Sequence, residues 1–233
     1  MSKKQLNTEE LKKLHAEEYV DHFNQNREAN KNRIRGILGH IKLNEQEVVC
    51  DYGCGNGLLF EEIHDKVQSY TGVDFSTEFI KSFEEKLNHT SFNISPKLVN
   101  RDIVDFAKDH QNTFDTAFTL DFSEHLYDED FERIYRAVFE TIKPNGRLVF
   151  HTPNGGFFIE WLKNKGLMKQ QEQHIGVRNF EENKRLLSRC GFNTIQVTYI
   201  AHYNVLKYLH ALSFIPLLGK VFRARLLLVC IKN

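Results

Sequence analysis

The sequence predicts an α/β protein: a mostly parallel sheet with helices on both faces. Two observations carry that expectation. From Glu47 onward, short apolar runs bounded by turns alternate with segments of helical period. The first of these runs ends in the glycine-rich turn Gly53-Cys54-Gly55-Asn56-Gly57, directly ahead of a helical pattern. At 233 residues the chain suits one domain, or one domain with a small cap.

In chain order, 7–41 reads as one or two amphipathic helices, with Leu11, Leu14, Tyr19 and Phe23 and then Ile34, Ile37, Leu38 and Ile41 at helical intervals. We assign 1–45 to a helical lid or cap and 46–233 to the main domain. VVCDYG is a strand and turn, LLFEEIHDKV a helix, SYTGVDFS a second strand and turn, and FIKSFEEKL a second helix. PKLVNRDI and FDTAFTLDF are the third and fourth strands. DFERIYRAVFETI is a helix with Phe131, Ile134, Tyr135, Val138, Phe139 and Ile142 on its buried stripe, ended by Lys143-Pro144-Asn145-Gly146. RLVFHTPN is the fifth strand, and a polar, turn-rich stretch follows it. FEENKRLLSRCGF is a helix, NTIQVTYIA a strand, and VFRARLLLVCIKN supplies the last strand after an insertion at 203–220.

Charge and composition remove some functions. With 31 Lys plus Arg against 31 Asp plus Glu, nothing favours a long nucleic-acid backbone as partner. The four cysteines suggest neither a zinc knuckle nor a disulfide scaffold, so a reducing compartment fits. The N-terminus lacks the apolar core of a signal sequence, and no apolar run reaches the ~18–20 residues needed to span a bilayer. A cytoplasmic protein is expected. The stretch YNVLKYLHALSFIPLLGKVFRAR, with Lys207, Lys220, Arg223 and Arg225, reads first as a buried cap helix and second as an interfacial surface in peripheral membrane contact.

The glycines leave room for a ligand beside the backbone. Asp74, 21 residues after Gly53 at the end of the second strand, can accept both hydroxyls of a ribose. A dinucleotide and S-adenosylmethionine both fit those features. Asp51 separates them, since it would repel a pyrophosphate and attract the ammonium of an amino-acid moiety. Asp51 through Gly57 resembles the acidic-residue-then-G-x-G-x-G motif of class I S-adenosylmethionine-dependent methyltransferases. That resemblance implies a Rossmann-like, seven-stranded sheet whose last strand is antiparallel. It also implies a methionine moiety beside Gly53, Gly55 and Gly57, ribose on Asp74, and the adenine amino group on Asp102.

The fourth strand finishes in Asp121-Phe122-Ser123-Glu124-His125. On a helical turn, Asp121, Glu124 and His125 converge on one side, where their carboxylates need a cation, a proton or a basic partner. Oxygen ligands plus imidazole favour Mg²⁺ or Mn²⁺, and His174 is a fourth candidate ligand. The alternative is a plain helix cap with His125 as general base. The pattern resembles the E-x-x-E-H plus downstream His of ubiquinone-biosynthesis O-methyltransferases and of small-RNA 3′-terminal 2′-O-methyltransferases, with Asp121 where those have Glu. Asn154 is a candidate acceptor contact.

These readings lead to an enzyme that moves a methyl group from S-adenosylmethionine to a hydroxyl of a small or lipid-like molecule. Glu124 and His125 are its catalytic candidates, and 203–220 lies on the acceptor side. The alternatives are an RNA ribose 2′-O-methyltransferase, a noncatalytic S-adenosylmethionine-binding regulator, and a nicotinamide oxidoreductase.

Overall fold

Seven segments rich in β-branched and aromatic residues pair into one sheet: β1 (Val48–Tyr52), β2 (Ser69–Asp74), β3 (Lys97–Asn100), β4 (Phe114–Leu120), β5 (Ile142–Pro153), β6 (Thr194–Ile200) and β7 (Arg225–Ile231). The computed structural model describes residues 27–169, 174–203, 205–216 and 218–233. The strand order is β3-β2-β1-β4-β5-β7-β6. Pairing from β3 through β5 is parallel, and β7 runs antiparallel to both β5 and β6. The expected reversed last strand is therefore present, wedged between its two predecessors.

Around the sheet lie α1 (Arg27–Leu38), α2 (Leu58–Ile63), α3 (Thr77–His89), α4 (Ile103–Ala107), α5 (Asp128–Thr141), α6 (Phe158–Asn164) and α7 (Phe180–Arg189). Leu226 and Leu228 pack with Phe131 and Val138 of α5 and Leu187 of α7. Leu227 between them packs on the other face, with Ile37 of α1, Phe60 of α2 and Phe83 of α3. A strand buried on both faces has no polar side to show, which is why β7 reads as an unbroken apolar run. Ion pairs of Arg27 and Lys31 with Glu61, at 2.7 and 3.0 Å, and of Arg35 with Glu62 fasten α1 to α2.

Several local expectations need correction. Helix α5 passes straight into β5, so Lys143-Pro144-Asn145-Gly146 lies within the strand. The extra residues are absorbed by a register shift against β4 and by Asn145 at φ 64°. The third strand stops at Asn100, because Asp102 starts α4 instead. Helix α6 occupies part of the stretch read as polar loop. The 203–220 insertion forms 3₁₀ turns at Val205–Phe214 and Gly219–Phe222 with exposed apolar side chains, rather than a buried cap helix. Leu11, Leu14, Tyr19 and Phe23 lie outside the described residues.

The tightest steric demand in the glycine turn falls on Gly57, at φ 79°, where an added Cβ would run into the Phe83 ring. Gly57→Ala should cost about 2–5 kcal/mol, from the left-handed backbone plus overpacking. Urea denaturation checks this through the midpoint, and a wild-type midpoint would contradict it.

Candidate active site

The strand order reverses between β1 and β4, so the loops leaving their C-terminal ends diverge and open a crevice. A cavity of about 1360 Å³ fills it. That exceeds the ~300–1,000 Å³ of an ordinary small-molecule site and leaves room for two ligands in one chamber.

One half of the chamber is built from β1, β2 and their turns. Gly53, Gly55 and Gly57 are all left-handed, and Gly53 N donates to Val73 O at 2.8 Å, which lays the turn along β2. Gly53 and Gly55 border the cavity, whereas Gly57 serves packing. Asp74 lines the cavity and also brackets the turns: Oδ2 accepts from Gly55 N at 2.9 Å and Oδ1 from Ser76 N at 2.8 Å. Asp51 also lines the cavity. Burial, opposed by a 2.7 Å hydrogen bond from the Tyr70 hydroxyl and assisted by the charge of Asp74, lifts its carboxyl to about 7. Asp102 stands on the cavity wall, and its Oδ1 caps α4 by accepting from Val104 N at 2.8 Å. Phe75, the residue after Asp74, and Phe79 add aromatic wall that the sequence reading missed. An apolar side chain in the turn after a strand was the available signal.

The other half starts where β4 ends, and here one expected ligand moves away. Asp121 is left-handed, at φ 51°, so the turn does not align it with Glu124 and His125. Its Oδ1 pairs with Arg225 at 2.7 Å and His151 Nδ1 at 3.0 Å, and its Oδ2 with Arg33 at 2.9 Å. Burial opposes the charge, yet Arg33, His151 and Arg225 together hold this carboxyl well below the usual range. Asp121 is thus committed to an ion cluster and stands outside the group formed by Glu124, His125 and His174. Arg33, Arg225, His151 and Tyr203, whose hydroxyl lies 2.8 Å from His151 Nε2, were not anticipated.

Glu124, His125 and His174 do converge, with one ligand atom from each within 4.8 Å of the others. The 3₁₀ turn Ser123–His125 presents the first two. Gly176 N donates to Glu124 O at 2.8 Å and draws in the loop carrying His174. Arg178 clamps the turn by donating to the carbonyls of Ser123 and Leu126, at 3.1 and 2.7 Å. Thr152 Oγ1 donates to Glu124 Oε2 at 3.1 Å and accepts from Ser123 Oγ at 3.0 Å. Burial, with the charge of Asp121, raises Glu124 to about 8. Burial, with His125 beside it, lowers His174 to about 3. Asn154 is occupied by its own loop, donating to Arg223 O at 2.7 Å and accepting from Gly156 N, so it is a structural residue and not an acceptor contact.

A family model described as "Methyltransferase domain" matches residues 20–197. A ubiquinone biosynthesis O-methyltransferase of Coxiella burnetii is 33% identical over 125 residues, 54% of this chain and 51% of that protein. One from Stutzerimonas stutzeri is 28% identical over 127 residues, 54% and 53% of the two chains. The chain thus spans about half the length of the curated relatives it matches. Among solved structures, a SAM-dependent methyltransferase from Archaeoglobus fulgidus superposes with a TM-score of 0.67 at 19% identity, over 92% of this chain and 98% of that one. A geranyl diphosphate C-methyltransferase from Streptomyces coelicolor A3(2) gives 0.62 at 13% identity, over 87% and 78%.

Replacing Arg225 by Met leaves Asp121 buried with fewer cations, and breaking a buried pair from one side costs about 3–5 kcal/mol. Chemical denaturation of Arg225→Met should show a loss of that order, and a loss under ~1 kcal/mol would mean that water replaces the guanidinium.

Proposed function

The chain belongs to the methyltransferase-domain family, and we propose that it transfers the methyl group of S-adenosylmethionine to a hydroxyl oxygen of a small, lipid-like acceptor. The observation that carries this reading is the single chamber joining the Asp51 and Asp74 half to the Glu124, His125 and His174 half.

The residues fit the donor. The glycine turn keeps side chains out of the space beside Asp51 and Asp74. The side chains that shift Asp51 are Tyr70 and Asp74, neither of them a cation, so an ammonium entering there would relieve the cost of its charge. When bound, the sulfonium supplies the methyl group. The protein's part is to orient an oxygen toward it and to exclude water.

The residues also fit a divalent cation. Glu124, His125 and His174 would hold it, and the buried His174 Nδ1 has no hydrogen-bond partner among the described residues. With Asp121 spoken for, the set is one carboxylate and two imidazoles, which suits Mn²⁺ better than Mg²⁺. Such a cation supplies Lewis acidity that lowers the pKa of a hydroxyl. Without it, Glu124 at about 8 stays protonated at neutral pH and cannot accept a proton, which leaves His125 as base. The apolar rim of the chamber and the names of the curated relatives support a lipid-like acceptor. The converged His125 and His174 give an RNA ribose as the second reading. Four free, buried cysteines accord with a reducing, cytoplasmic setting.

The direct test is incubation with methyl-labelled donor and a prenylated phenol or catechol, or a short RNA, followed by mass analysis of the product. An O-methyl ether on the phenol supports the reading. Methylation of the RNA transfers it to the second. Absence of donor binding ends both.

Two further outcomes follow from the site. Donor affinity should fall as pH drops through about 7, because the folded-state carboxyl of Asp51 is raised to that value and binding needs it ionised. Titration calorimetry should read about a tenfold weaker Kd at pH 6 than at pH 8, and Asp51→Asn should be weak and flat. Activity should return to chelator-treated protein at lower Mn²⁺ than Mg²⁺ concentration. His174→Ala should lower turnover at least ~10-fold with donor affinity unchanged. Activity indifferent to chelation would remove the metal from the scheme.

A further inference from the structure

Two chain segments form the acceptor side of the chamber, and both turn large apolar side chains to the outside. In the first, Phe157 and Ile159 line the cavity while Trp161 is 56% exposed and Leu167 and Met168 are exposed. In the second, His202 and Ala224 line the cavity while Tyr208 is 72% and Phe214 80% exposed, with Leu218 and Val221 open beside them. The segments touch: the Phe158 and Phe222 rings lie 5.7 Å apart, and Phe157 stacks with His202 at 6.2 Å. Monomers rarely leave so many large apolar groups together in water unless something covers them.

The exposed charge carried by these two segments has one sign. Across 157–169 and 201–225 the only acidic residue is Glu160, which is buried and paired with Lys163 at 2.6 Å. Lys165, Lys169, Lys207 and Lys220 are exposed. A second copy of the chain would set this basic patch against itself, since a two-fold interface is self-complementary only if its charges are. Apolar side chains ringed by lysines suit the headgroup boundary of an anionic bilayer. No helix among the described residues is long and apolar enough to cross one.

We propose that these two segments form a docking surface for an anionic lipid membrane, so that the chamber opens at the depth where a lipid-like acceptor carries its hydroxyl. The route of acceptor entry rests on the function proposed above, whereas the docking itself does not.

The test is co-sedimentation of the full chain, without donor or acceptor, with phosphatidylcholine vesicles and with vesicles of equal parts phosphatidylcholine and phosphatidylglycerol. Binding to the anionic vesicles is expected, with a partition coefficient that drops at least ~20-fold in Lys207→Glu/Lys220→Glu, at roughly fivefold per lysine lost. Phe214→Ser/Leu218→Ser should lose a comparable amount. Unchanged donor affinity in both variants would show that they are folded. Equal partition of wild type and variants, absence of sedimentation, or a wild-type dimer that Phe214→Ser dissolves would overturn the proposal. Methyl transfer to a detergent-solubilised acceptor is read separately, so either idea can fail while the other stands.

Discussion

The donor half of the chamber depends on one carboxylate. Asp74 ends β2 and accepts one backbone N–H from the glycine turn and one from the turn into α3. Hydrogen bonds to an ionised acceptor are roughly twice as strong as neutral ones, so this group fixes the turn into α3 against the glycine turn, whose Gly55 lies 19 residues before it in sequence. Ser76, held by it, accepts from Phe79 N at 3.3 Å and so starts α3. The helix then presents Phe83 to Gly57, where only hydrogen fits. Strand end, turn and helix form one rigid unit before any ligand arrives, and the group that would meet a ribose already holds the frame.

The acceptor half is organised by an unequal treatment of two neighbouring acids. Asp121 and Glu124 are three residues apart, yet the first is held far below the carboxylate range and the second is raised to about 8. Asp121 takes Arg33 from α1, His151 from β5 and Arg225 from β7, which ties the N-terminal helix and the antiparallel strand to the end of β4. Its charge then makes ionising Glu124 harder. The outcome is one permanently paired carboxylate and one that titrates near neutrality, beside two imidazoles.

The fold was legible because central strands such as β1 and β7 are covered on both faces, which writes them as apolar runs, and because glycine alone tolerates the backbone of the first turn. The pairing of His174 with Glu124 and His125 was legible through side-chain chemistry. Asp121 does not converge with them because spacing of i, i+3 and i+4 implies convergence only on a right-handed turn, and its φ of 51° breaks that premise. Its partner Arg225 lies 104 residues away, a contact that no local pattern encodes. Asn154 was read as a ligand contact because a short polar side chain at a strand end has two uses, and here the backbone took it, whereas Asp102 caps α4 and still stands on the cavity wall. The 203–220 segment misled in a different way, since apolar content was read as burial and the side chains face outward.

The two halves impose opposite demands on what enters. Asp51 and Asp74 make one end hungry for positive charge, while at the other end Arg33 and Arg225 share the single carboxylate of Asp121 and leave a net positive charge. A cationic donor is therefore drawn to the β1 and β2 end and held away from the Asp121 cluster. Once the methyl has left, the sulfur is neutral and that part of the attraction is gone, whereas a zwitterionic amino-acid moiety would still answer Asp51. On this reading the enzyme grips the spent donor less firmly than the fresh one through electrostatics alone, and turnover needs no moving lid to discriminate between them.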